Sequence, residues 1–229
     1  RGLRRINPMP GKLNVLWVIS HPELVEPDEL DGFDLVFAAS EPWAEKMSRI
    51  SKRPVLPLLQ ATDPERFHPA TTQEPHSGGV LFVGQARTGG VPRQIVTDAL
   101  AAGVPLEVWG PNWADLIDPA HLKGEYLAYT ELPVRYRQAS RVLNDHWADM
   151  AAEGFISNRV FDVVAAGGRV ITDEVAGLTE LFGGAVQSYQ SVADLERLCS
   201  VDGDAAYPDD AALVRIAARV GREHSFTAR

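Results

Sequence analysis

The stretch EGFISNRVFDVVAAGGRVITD, residues 153–173, places a helix and a strand in the order that recurs along the whole chain. Val160, Phe161, Val164 and Ala165 recur on a 3.6-residue period, which predicts a helix with one buried face. Ser157 is a suitable N-cap, Ile156 and Phe161 stand at the two positions of a hydrophobic staple, and Gly167-Gly168 stops the helix. GRVITD then reads as a short buried strand. Off the apolar stripe, Asn158 and Asp162 lie one turn apart, with Arg159 three residues before Asp162. This polar face has two readings. The first is a solvated Arg159–Asp162 pair worth ~0.3 kcal/mol. The second is a ligand site, in which Gly154, Phe155 and Ile156 present unpaired backbone N–H groups at the positive helix end, suited to a diphosphate. Asp162 would follow about 7 Å along the axis, where a carboxylate can accept hydrogen bonds from the vicinal diol of a ribose. The segment alone leaves both readings open.

The same alternation extends through the chain. Short apolar runs occur at LNVLWVIS (13–20), FDLVFAAS (33–40), PVLPLLQ (54–60), GVLFVG (79–84), LEVWG (106–110) and RVLND (141–145). Between them lie helix-like segments such as EPWAEKMSRIS, PRQIVTDALAAG and ELPVRYRQAS. Continuous apolar strands alternating with helices predict βαβ units and a doubly wound, parallel α/β architecture. In such sheets ligands bind in the crevice beyond the carboxyl ends of the strands.

With 229 residues, 45% of them hydrophobic, the chain can bury a substantial core. Its net charge of −9, with the one concentrated basic run at Arg1 to Arg5, argues against nucleic acid or an anionic membrane as the main partner. A single cysteine, Cys199, leaves no internal disulfide and suits a reducing cytosol, so a cytoplasmic location is expected. No apolar run approaches the ~20 residues of a membrane span. The segment 61–79 is rich in Pro, Thr, Gly and His and reads as a linker. The block before it, about 60 residues, is small for an independent core. It reads as the tail end of a larger domain, and the opening Arg1 suggests a fragment.

Several chemistries are poorly supported. GQARTGGV (84–91) carries Gly90-Val91 where a phosphate-binding loop needs Lys-Ser/Thr. No G-x-G-x-x-G follows a strand, no nucleophile elbow is present, and the six histidines never pair at metal-ligand spacing. His146 reads more readily as a hydrogen-bonded residue at a strand end than as a ligand. Elsewhere the pattern favours an anion site. In FVGQARTGGVPRQ the strand ends at Gly84-Gln85, Arg87 lies in the loop, and Arg93 sits near a helix start, where the dipole gives no reason for a cation. Two arginines beside a diphosphate could offset its charge without a metal. Gly110, ending LEVWG, would let a ligand approach the backbone. Trp109, Trp113 and Trp147 are expected in the core or at the rim.

These residues together resemble a retaining glycosyltransferase of the two-Rossmann-domain GT-B fold, in the family called glycosyl transferases group 1, and within it a bacterial branch with an FVG…R…SNR-x-F-D pattern. ATDPERFHP resembles the family's entry into its second domain, VLFVG the first strand there, and LKGEYLAYTELPVRYRQAS and EGFISNRVFDVVAAGGRVITD the donor-binding segments. The resemblance implies a nucleotide-diphosphate sugar as co-substrate, no other cofactor, no metal, and a glycan, lipid or small molecule as acceptor, with peripheral membrane association left open. It implies that Asp162 contacts the ribose, that Glu153 contacts donor-sugar hydroxyls, and that Asn158 and Arg159 contact the diphosphate or sugar. Arg87 and Arg93 would replace the family's usual Arg/Lys pair. WVISHPEL resembles the strand-then-His of the first domain, so His21 would reach across the cleft towards the reacting sugar. The expected catalytic residues are thus His21 and Glu153. The expected donor-binding residues are Gly84, Gln85, Arg87, Arg93, Gly110, Gly154, Phe155, Ile156, Ser157, Asn158, Arg159 and Asp162. The implied domains are 1–66, a partial N-terminal and acceptor-side Rossmann-like unit, then 67–212, binding the nucleotide sugar, and a C-terminal helix within 213–229 packing back on the first. Two departures stand out: the second acid is Asp rather than Glu, and Glu153 lies one residue further from it than the family spacing. A nucleotide-sugar epimerase of the same fold and an inactive GT-B-like binding module remain as alternatives.

Overall fold

The structure is a computed structural model that describes residues 5, 7–69, 75–87 and 89–229. Arg1 to Arg4 of the basic run, residues 70–74 of the linker and Thr88 lie outside the described residues. Among the described residues, nine strands form two parallel sheets. The first sheet has the order β1 (Val15–Val18), β2 (Leu35–Ala38), β3 (Val55–Pro57). The second comprises β4 (Val80–Val83), β5 (Leu106–Trp109), β6 (Leu122–Gly124), β7 (Arg141–Leu143), β8 (Val170–Thr172) and β9 (Val186–Ser188) in the order β6-β5-β4-β7-β8-β9. The chain therefore starts this sheet in the middle, winds outward to β6, and returns to build β7 on the other side of β4. The switch falls between β4 and β7, paired Val80↔Arg141 through Phe82↔Leu143; in open parallel sheets the loops diverge at such a switch and ligands bind in the crevice beyond it.

The short apolar runs of the sequence all contain strands; β6 and β9 were not expected. Helices α1 (Pro27–Leu30) and α2 (Glu41–Ile50) accompany the first sheet. With the second come α3 (Gln94–Ala101), α4 (Leu132–Gln138), α5 (Ala148–Ala152), α6 (Asn158–Ala165), α7 (Leu178–Phe182), α8 (Val192–Cys199) and α9 (Asp210–Glu223). Ser157 caps α6 as expected, and Ile156 and Phe161 lie in one core cluster. The last helix, α9, packs on α6 and α7, and the chain beyond it pairs with the segment joining the sheets through the Thr62↔Ser225 bridge.

The first sheet does not build its core from its own residues alone. Met150 of α5 and Phe155 are buried with Val18, Leu30, Val36, Trp43 and Met47, and Trp147 packs on the same cluster. Phe155 is fully enclosed, its ring edge-on to Trp43 at 5.6 Å between centroids. The small N-terminal block is thus completed by residues more than 90 positions away, between β7 and α6 in the chain.

Candidate functional site

Loops leaving the carboxyl ends of β4 and β7 place charged side chains in the switch-point crevice. Asp145, its side chain only 4% exposed, accepts from both arginines expected on a diphosphate: Arg93 Nη1 at 3.1 Å and Arg87 Nη2 at 3.2 Å. Arg87 also donates to the His146 carbonyl at 2.9 Å, and Arg93 Nε to the Gln85 carbonyl at 3.1 Å. Arg159 enters from α6, donating to Asn144 Oδ1 at 2.9 Å, and hydrogen-bonds Tyr136. Arg87 and Arg93 thus share one carboxylate, while Arg159 lies between their cluster and the second carboxylate, Asp162, acting electrostatically on both. Burial lowers the Arg93 pKa; Asp145 opposes this, while Arg159 and Arg87 add to it. Arg87 Nε is buried without a partner. Such an N–H, in a site with excess positive charge, is a donor for an anionic acceptor.

His146 is structural, as its position at a strand end suggested. Its Nδ1 meets Asp173 Oδ1 at 2.6 Å, and its Nε2 accepts the Ser157 N–H at 2.9 Å. These partners define the tautomer with the proton on Nδ1. Burial alone would raise the Asp173 carboxyl, but hydrogen bonds from the His146 ring and backbone and from the Thr172 hydroxyl outweigh it and hold it low.

The expected nest of unpaired N–H groups ahead of α6 is corrected at two of its three positions, Gly154 and Phe155. Gly154 N–H bonds Ala151 O, Phe155 N–H bonds Met150 O, Ser157 N–H bonds His146, and Arg159 N–H meets the Ser157 hydroxyl. Phe155 and Ile156 bury their side chains in the two cores. Gly154 is needed for another reason: at φ 74° a Cβ would sit 2.7 Å from Pro42, where the sheets meet. Gly110 is likewise explained by protein packing, since at φ 143° a Cβ would lie 2.2 Å from the Gly84 carbonyl oxygen. Gly84 in turn leaves room for Arg159, whose Nη2 would be 3.0 Å from an added Cβ.

The other expected residues separate into two groups. His21, leaving β1 at φ 51°, reaches the crevice: its ring centroid is 5.1 Å from that of Trp147, and its Nδ1 is 3.9 Å from Asp149 Oδ2. His21, Glu23 and Asp149 bring one potential metal-ligand atom each to within 4.8 Å of one another, the one such group among the described residues. Glu153 instead turns its carboxylate to Lys46 of α2, and its carbonyl accepts from the Ser40 hydroxyl, so it ties the two sheets together.

Asp162 faces the segment joining the sheets. Thr62 Oγ1 donates to its Oδ1 at 2.7 Å and Asn158 Nδ2 to its Oδ2 at 2.8 Å. Each oxygen keeps a second lone pair, so a diol can still bind. Burial raises its pKa from 3.8 to about 6, against the opposing hydrogen bonds from Asn158 and Thr62. A folded-state pKa above the unfolded value means the folded state holds the extra proton between these limits, so stability falls as pH rises from about 4 to about 6. At ~1.4 kcal/mol per unit the full effect is at most about 3 kcal/mol. We expect Asp162→Asn to flatten this slope and to be more stable than the unaltered chain at pH 7, read from urea midpoints at stepped pH. An unchanged slope would assign the titration elsewhere.

Sequence reasoning assigned no role to Asp145, Asn144, Asp173 and Thr62, and placed Trp147 only in the core or at the rim, where it does pack. The run Asn144-Asp145-His146 at a strand end was the available signal for three of the crevice residues.

No described helix is long and apolar enough to cross a membrane. Among solved structures, the chain resembles AviGT4, a glycosyltransferase involved in avilamycin A biosynthesis, with a TM-score of 0.54 at 18% identity over 92% of this chain and 70% of that one. It also resembles Anabaena HepE in complex with UDP-glucose, with a TM-score of 0.63 at 13% identity over 92% and 68%. A third is the sucrose-phosphate synthase from Thermosynechococcus elongatus, with a TM-score of 0.60 at 16% identity over 90% of this chain but 58% of that one. These likenesses carry the fold, which is GT-B. A comparison with curated proteins matched none. Residues 87–229, which supply every residue of the Asp145–arginine cluster, match the family model described as glycosyl transferase-like, and the chain belongs to that family.

Proposed function

We propose that the chain binds a nucleotide-diphosphate sugar at the β4/β7 crevice and takes part in transfer of the sugar to an acceptor, with retention as the family resemblance implies. The observation that carries this reading is the convergence of Arg87 and Arg93 on the single carboxylate of Asp145, with the charge of Arg159 acting on Arg93 from the α6 side and Arg87 Nε buried and unpaired. Placed there, a diphosphate takes up the excess positive charge. As the leaving diphosphate gains charge in the transition state the same guanidinium groups hold it more strongly, which is catalysis by preorganised electrostatics. In this reading the arginines take the place of a metal, Asp162 holds the ribose beside Thr62, and His21 faces the sugar. Glu153, paired with Lys46, acts through the sheet interface. The proposed division is a first unit through residue 66, a donor-binding unit over 67–212 and a C-terminal helical segment over 213–229. UDP-glucose bound to HepE supports a nucleotide-sugar ligand for this fold.

Calorimetry with UDP, GDP and dTDP tests the proposal. One of the three is expected to bind, and Arg87→Ala to weaken it by about tenfold or more, the scale of a charge-assisted hydrogen bond. Binding of none would favour an inactive module of this fold.

A further inference from the structure

Trp147 stands where the two sheets meet, directly after the Asn144-Asp145-His146 turn and at the N-cap of α5. Part of its ring packs against the core of the first sheet, which also receives Leu16. The His21 imidazole lies against it, centroids 5.1 Å apart and planes tilted by 52°. The Arg87 guanidinium carbon sits 4.2 Å from the indole centroid, and that of Arg93 5.9 Å away. One indole therefore touches the histidine delivered by β1 and the arginine delivered by the loop after β4.

We propose that Trp147 is a positioning residue, whose indole holds Arg87 towards the anion site and registers His21 of the first sheet against it. The inference rests on the reading of this crevice as a diphosphate site. Arg87 is a long side chain that must present one N–H to a ligand while the rest is held still. Asp145 and the His146 carbonyl hold Nη2. The indole face attracts the planar cation by cation–π stacking and restricts its rotation. These contacts engage Nη2 and the guanidinium face; the rest of the fork is Nη1 and Nε, the latter buried and without a partner. Because the indole is also packed on the first sheet's core, a shift of that sheet would move the surface on which Arg87 rests. Aiming of the cation and placement of His21 are therefore coupled through one ring.

The test uses whichever of UDP, GDP and dTDP the unaltered chain binds. Trp147→Leu fills much of the seam without an aromatic face and is expected to weaken binding about tenfold, whereas Trp147→Phe keeps a face and stays within about threefold. In an Arg87→Lys background the Leu substitution should cost markedly less, because the planar group it supports is gone. Equal losses for Leu and Phe, or a Leu effect that is the same in both backgrounds, would reduce Trp147 to packing and overturn the proposal. Should Trp147→Leu fail to fold, Trp147→Met takes its place with the same expected contrast to Phe. If the unaltered chain binds none of the three nucleotides, the diphosphate reading falls and this inference with it. If it binds and Trp147→Leu stays within twofold, only the role of Trp147 falls.

Discussion

Asp145→Leu is expected to lower the stability of the fold by about 3–5 kcal/mol, the scale for removing one partner from a buried ion pair. The Asp145 side chain is 4% exposed and faces two guanidinium groups that are themselves 14% and 20% exposed. Leucine restores the volume but leaves Arg87 and Arg93 without their shared anion, close to Arg159, and repulsion replaces attraction. The loss should appear in urea unfolding midpoints, with Asp145→Asn intermediate because an amide can still accept one hydrogen bond. Millimolar pyrophosphate should recover more stability in Asp145→Leu than in the unaltered chain, since an anion that binds only the folded state stabilises it by mass action. A loss below about 1 kcal/mol, the range of an exposed pair, would show that the arginines turn to solvent and that the crevice is not preorganised.

Phe155→Ala is expected to cost about 3–5 kcal/mol, the range for emptying a buried aromatic site. The effect should be greatest in a sheet to which Phe155 does not belong. Its ring is fully enclosed against Trp43 and shares a cluster with Val36, Ala38 and Met47. Hydrogen exchange should therefore accelerate in β2 and α2 more than in β8 or α9. Uniform acceleration would mean that the two sheets unfold as one cooperative unit, and faster exchange confined to α6 would contradict the shared core.

Several elements were legible because their cause is local. The 3.6-residue stripe of α6, its Ser157 cap and the Gly167-Gly168 stop follow from dihedral preferences and backbone hydrogen bonds within a few residues, and the structure shows them where the sequence placed them. The continuous apolar runs foretold parallel strands, and β4, β7 and β8 are buried as such runs suggest, whereas Val15, Leu35 and Leu56 of the first sheet stay exposed. The two unexpected strands, Leu122–Gly124 and Val186–Ser188, span three residues each and contain Lys123 and Gln187 at their centres, so neither makes a continuous apolar run. Arg87 and Arg93 could be picked out as cations that the helix dipole does not explain.

The amino-acid order therefore carried the fold class, the strand-end crevice and the cations. It did not carry their partners. Asp145 meets Arg87 across 58 positions, Thr62 reaches Asp162 across 100, and Ser40 reaches the Glu153 carbonyl across 113. Phe155 and Gly154 read locally as part of an anion nest, yet tertiary packing used the first to fill the opposite sheet's core and the second to clear Pro42. Periodicity reports that a residue is buried because its neighbours on the same helix or strand are. Which distant surface buries it, and which charge it meets there, is decided only when the two sheets close against each other.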